Sequence, residues 1–188
     1  MRHPLAKLLA LALLAWTPAL WASSYTSTVS LFKNAGESAR FFDNCYGYAV
    51  FPTIGKAGLV VGGAHGSGRV YVHGIYVGDT SVNQLSAGFQ AGGQAYSQIV
   101  FFEDKRAFEE FTKGNFEFGA DVDAVAITAA AGGSVGTTGA SAGASGGMKD
   151  ATTAGRYYKG LAVFTIVKGG AMYQATLAGQ KFSYTPKA

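Results

Sequence analysis

Tyr46–Gly63 reads YGYAVFPTIGKAGLVVGG, and the fold turns on it. Two apolar runs, Tyr46–Phe51 and Leu59–Val61, flank Pro52 and the Gly55-Lys56-Ala57-Gly58 break. Tyr, Val and Phe suit a pleated, half-buried surface, so each run predicts a strand. Pro52 has no N–H to give to a ladder and is expected to close the first strand. Gly62 and Gly63 then permit a bend or a close backbone approach. Lys56 is the only charge in the stretch. This reading places it at a turn between two buried strands.

On the C-terminal side, His65-Gly66-Ser67-Gly68 reads as a turn, Arg69–Val77 as an alternating strand, and Gly78-Asp79-Thr80 as the next turn. Gln84–Glu103 is long enough for two strands or one bent strand. Gln90, Gln94 and Gln98 share a face there, with Gly92 and Tyr96 between them. The small residues on the other face suggest tight packing or a groove floor. Asp104–Lys113 is the best helix: Asp104 caps it, and Ala107, Phe108 and Phe111 form its apolar stripe. Lys105 with Glu109 and Arg106 with Glu110 have i, i+4 spacing, and Gly114 ends the helix. From Ala129 to Gly147 the chain is Ala, Gly, Ser and Thr apart from Val135. That tract is either a pair of flat, weakly specified strands or a mobile loop. Leu161–Val167 and Ala171–Leu177 predict strands joined at Lys168-Gly169-Gly170.

On the N-terminal side, Ser27–Lys33 predicts a short helix with Val29 and Phe32 on one face. Asn34 with Glu37 has the spacing of a capping box for a second helix. The pair either packs on the sheet or forms an amphipathic membrane-facing segment. Before it, Arg2 and Lys7 precede the apolar Leu8–Trp16, Thr17-Pro18 breaks the run, and Ala22 is small. This is the pattern of a secretory signal peptide over 1–22, cut between Ala22 and Ser23, with Ser24 as the runner-up cut. Residues 23–188 then form one domain. Its expected address is the periplasm or envelope.

The 188 residues include 27 Gly, 48% hydrophobic and only 14% charged residues, so the chain is apolar but not disordered. Many glycines favour strands and turns over long helices. Without Arg2 and Lys7 the charge falls from +4 to +2, and no Lys/Arg cluster or basic stripe marks a nucleic-acid partner. Cys45 is the sole cysteine, so no internal disulfide forms; it reads as a small packed hydrophobe. With it, His65 and His73 cannot make a structural zinc site, and Asp121 with Asp123 lacks the rest of a calcium loop. No cofactor is expected. The pattern G-x-S-x-G occurs around Ser134, Ser141 and Ser145, but in a low-complexity tract where chance matches are common, so an enzyme is not expected. What does stand out is a glycine-rich β-scaffold with single basic residues near turns: Lys56, Arg69, Arg156, Lys159 and Lys168. A cation beside apolar surface suits an anionic amphiphile.

Tyr48-Ala49-Val50-Phe51-Pro52, Lys56-Ala57-Gly58 and Gly62-Gly63 resemble the SYLF domain family of lipid-binding proteins. So do Gly88–Gln94, Phe116–Asp121 and Tyr158–Leu161. The resemblance runs in order from about residue 28 to 180. It implies binding of phosphoinositides or other acidic phospholipid head groups without catalysis. In fungal relatives it implies actin binding as well, a partner not expected for an exported chain. Lys56 lies in the most specific motif. Lys56, Arg69 and Lys159 are the candidate head-group ligands. The alternative is a structural or interaction protein using an exposed sheet edge or a Gly-rich loop. The expected fold is α+β: a strongly bent antiparallel sheet or partial β-barrel with two or three short helices.

Overall fold

The structure, a computed structural model, describes residues 17–58, 61–87, 92–119, 125–129, 135–136, 157–170 and 177–188. Six long strands make an antiparallel sheet in the order β7-β4-β1-β2-β3-β8. They are β1 (Gly47–Gly58), β2 (Val61–Val72), β3 (Ile75–Ala87), β4 (Gly92–Phe102), β7 (Leu161–Gly170) and β8 (Gln180–Pro186). Next to β7, β5 (Val125–Ala129) runs parallel to it, and β6 (Val135–Gly136) pairs with β5. The helices are α1 (Thr17–Asn34), the short α2 (Gly36–Ala39) and α3 (Phe41–Asn44), and α4 (Lys105–Phe111). This is the expected α+β architecture.

The sheet curls strongly without closing into a barrel. On a flat sheet β4 and β8 would lie about 19 Å apart, at about 4.8 Å per strand. Yet Gln98 on β4 donates to Gln180 on β8 at 3.0 Å, and the rings of Phe51 on β1 and Phe182 on β8 lie 5.6 Å apart. The chain after α4 touches both edges. Phe116 and Phe118 bond to β8 through Phe182 and Gln180, whereas β5 pairs with β7.

Two cores result. Inside the curl, Ala49, Phe51, Ile54, Val100, Phe102 and Phe182 pack with Phe111 of α4 and with Phe118. On the outer face, Val50, Ile99, Phe101 and Phe164 are covered by Tyr25, Phe32 and Phe41 of the N-terminal helices. Tyr25, Thr28, Phe32 and Ala35 are buried at three- or four-residue spacing, so α1 presents one stripe to the sheet.

Several local expectations change. Pro52 does not end its strand. One extra residue of β1 is taken up between Val50 and Thr53 against β2, and between Phe51 and Ile54 against β4. That β-bulge accommodates a residue without an N–H, and β1 continues to Gly58. His65–Gly68 lies within β2 and Gly78–Thr80 within β3. The turn between β2 and β3 is His73-Gly74, with φ of 48° and 78°, a two-residue hairpin turn. Gly66 and Gly68 are needed inside the curl: a Cβ there would meet Ile54 Cγ1 at 2.7 Å and Phe51 Cδ1 at 2.6 Å. Asn34 ends α1 instead of capping α2, whose N-cap is Ala35. Asp104 caps α4, accepting from Ala107 N at 2.8 Å, but Arg106 pairs with Asp104 rather than Glu110. The strand β7 runs through Lys168 to Gly170. Most of Ala129–Gly147, the second strand expected after Gly170, and 1–16 lie outside the described residues.

Candidate functional site

The inner face of the curled sheet has two ends of different chemistry. At the α4 end it is filled by the apolar and aromatic side chains above. Toward the other end, register aligns one residue from each of five strands. Gln94 pairs with Lys56, Lys56 with Ala64, Ala64 with Gln84, and Gln84 with Gln180. All five are buried. A row of three glutamines and a lysine has replaced hydrocarbon.

Some of these polar groups find partners inside the chamber. Gln180 donates to Tyr96 Oη at 3.0 Å and accepts from Gln98, and Gln84 Nε2 donates to Ala178 O at 2.8 Å. Burial raises the Tyr96 phenol to a pKa of about 12, opposed by the Gln180 bond. Gln94, 4% exposed, is different: both of its amide atoms are buried with no partner among the described residues. An unsatisfied buried amide is costly.

Lys56 stands beside it. It is 7% exposed and is the only buried charged side chain among the described residues. No carboxylate among those residues forms an ion pair with it. Burial pushes its pKa down. A buried ammonium without a counter-charge is expensive, and an entering anion offsets that cost. Beyond this row, the next inward positions on β1, β2 and β4 are Gly58, Gly62 and Gly92, paired with one another. Gly58 and Gly62 are half-exposed.

The structure does not bring the three expected head-group ligands together. Lys56 is buried inside β1 rather than at a turn. Arg69 is on the outer face of β2, stacked over Tyr25 at 4.5 Å and Tyr76 at 5.0 Å, with Asp79 at 3.8 Å. Lys159 sits in the turn before β7, with φ 51° and its amine 5.0 Å from the Tyr158 ring. Leu161 pairs with Phe102 and Phe102 with Gly47, so Lys159 marks the sheet end opposite to Lys56. The site members missed from sequence are Gln84 and Gln180. Gln94 and Gln98 carried a signal, their shared face with Tyr96. Outside, a cleft of about 650 Å³ is lined by Lys33, Arg40, Phe42, Tyr48 and His73. Among the described residues no helix is long and apolar enough to cross a membrane.

The arrangement is a curled antiparallel sheet that buries, toward one end, a cation and an amide without a partner among the described residues. Residues 83–186, more than half of the chain, match the Ysc84 family model, described as "Las17-binding protein actin regulator". The chain belongs to this family, the SYLF family of the resemblance. Gln84, Gln94, Gln98 and Gln180 fall within the matched span, and Lys56 precedes it. Among curated proteins, the chain is 28% identical over 159 residues to "Beta cell expansion factor A" of Aeromonas veronii. The alignment covers 84% of this chain and 52% of that protein, so the chain spans about half the relative's length. The family's description is of a binding protein and regulator, not of an enzyme.

Proposed function

We propose that this protein binds anionic lipid without catalysis, at the cell envelope, with the lipid head group at Lys56. The observation that carries the reading is the buried Lys56 amine with no carboxylate partner among the described residues, beside a glycine-lined opening. Family membership supports it, because the family resemblance implies acidic-lipid binding. The leader pattern of Arg2, Lys7, Leu8–Trp16 and Ala22 supports the address, and that address argues against actin as the partner. A second reading, an interaction protein, is favoured by Ile75 and Leu85 on β3, which are 69% and 84% exposed.

Vesicle co-sedimentation tests the first reading. Wild type is expected to bind phosphatidylcholine vesicles carrying phosphatidylglycerol more tightly than phosphatidylcholine alone. Lys56→Gln is expected to weaken that binding about tenfold, the scale of one charge-assisted bond in a buried site. Much of the loss should persist at high salt, because buried charges are poorly screened. Equal binding by wild type and Lys56→Gln would remove Lys56 from the site.

A further inference from the structure

The chamber's donors and acceptors restrict the ligand more narrowly than charge alone, an argument that rests on the lipid-binding reading above. Lys56 supplies a single positive charge, and no other charged side chain among the described residues is buried with it. Gln94 faces the same interior with two unpartnered atoms of opposite kind. Its Nε2 needs an acceptor and its Oε1 needs a donor. An oxygen anion satisfies Lys56 and Nε2 but leaves Oε1 buried without a proton. A ligand that is both anionic and hydroxylated satisfies all three.

Depth sets a second limit. One step below the Lys56 row stand Ile54 and Tyr96, both fully buried. Below them the interior is packed with Phe51, Phe102 and Phe182. Among the described residues that floor is aromatic and apolar, whereas the rim of the chamber is framed by glycines. We infer that the chamber takes a singly charged, hydroxyl-bearing phosphodiester head group of the glycerol type, with the acyl chains left outside. Lys56 holds the phosphate, Gln94 Nε2 donates to one of its oxygens, and Gln94 Oε1 accepts from a head-group hydroxyl. The same chemistry is present in a soluble glycerol phosphodiester.

The test compares phosphatidylglycerol with phosphatidylmethanol, a phosphodiester of equal charge without the hydroxyls, at matched mole fraction in phosphatidylcholine vesicles. Glycerophosphoglycerol and dimethyl phosphate are the soluble counterparts, titrated into the full chain by calorimetry. Wild type should prefer phosphatidylglycerol about tenfold, the scale of one buried amide left unpaired. Gln94→Leu should abolish that preference. Gln94→Glu, nearly isosteric, should place a carboxylate beside Lys56 and suppress binding of both lipids. Thermal melts of both variants establish that they are folded. Lys56→Gln should weaken both lipids alike and leave the roughly tenfold ratio unchanged. Glycerophosphoglycerol should bind wild type and not Gln94→Leu. Equal affinity of wild type for the two lipids overturns the inference, as does a preference retained in folded Gln94→Leu. Vesicle binding with no heat from glycerophosphoglycerol also overturns it and points to attraction by the bilayer surface. If Lys56→Gln binds both lipids like wild type, it is the lipid-binding reading at Lys56 that fails.

Discussion

The two ends of the inner face are built on the same strands, yet they treat glycine and side-chain volume in opposite ways. At the α4 end the space is full. Phe51, Phe102, Phe111, Phe118 and Phe182 are almost completely buried, and Gly68 exists to make room for Phe51. At the other end the inner face carries Lys56, Gln84 and Gln94 instead. On the outer face there, among the described residues, a Cβ on Gly93 would meet nothing nearer than Lys56 O at 3.8 Å, and one on Gly63 nothing nearer than Gln84 O at 3.6 Å. Glycine at those two outward positions is not demanded by packing. The first end contributes stability by burying hydrocarbon. The second gives some of it up by burying Lys56 and the Gln94 amide. A protein that spends stability at one end of its core and gains it at the other has separated its scaffold from the site proposed for its ligand.

The largest expected effect lies in the full end. Phe182→Ala should destabilise by about 3–5 kcal/mol in denaturant unfolding, because Phe51, Phe111, Phe116 and Phe118 all stack on that ring. A loss below about 1 kcal/mol would mean that this end is not the scaffold. The glycines give the most direct contrast. Gly68→Ala should cost about 1–3 kcal/mol through its clash with Phe51. Gly63→Ala and Gly93→Ala should stay within about 0.5 kcal/mol of wild type. Equal losses at Gly68 and Gly93 would mean that the close approach of Phe51 to Gly68 sets no special demand.

Lys56→Met should raise the melting temperature at neutral pH, on the order of 1 kcal/mol, because a hydrocarbon replaces a buried charge. The pH dependence has a definite sign. Burial lowers the folded-state pKa of Lys56, so between the folded and unfolded values the unfolded chain holds more protons. The cost of burying the charge is full below the folded value and is relieved as pH rises through it. The advantage of Lys56→Met should therefore shrink toward alkaline pH, read as the difference between the two melting curves. A gap that widens instead would mean that Lys56 is paired in the folded protein. The smallest effect concerns the amino terminus. Tyr25, Thr28 and Phe32, the buried residues described in α1, all lie beyond Ala22, so cleavage there should leave their cover of the sheet intact. Intact mass of exported protein should give an amino terminus at Ser23, with the same melting temperature as the uncleaved chain to within about 0.5 kcal/mol in stability.

By itself the sequence determined much of the frame. β-Branched and aromatic runs marked strands because they pack on a pleated surface, and Asp104 before the Ala107 and Phe111 stripe marked α4 because a cap and a period are local. The N-terminal helices were legible only in part: Ser27–Lys33 with Phe32 on its apolar face lies within α1, but Asn34 ends that helix instead of capping the next. Lys56 was legible as an unusual charge, but its direction was not. Strict alternation from Ala49 and Phe51 puts Thr53 and Gly55 inside and Lys56 outside. The bulge at Pro52 adds one residue and inverts that parity, so Ile54 and Lys56 point inward. The glutamine row is decided later still. Gln84 and Gln180 join Gln94 and Lys56 only because β2 and β3 stand between them in the sheet order. Curling then carries β8 around to face β4, where Gln98 and Gln180 meet. Spacing along a chain sets which face a residue shares with its neighbours, whereas register and curl, set by pairing across strands far apart in sequence, decide what that face encloses.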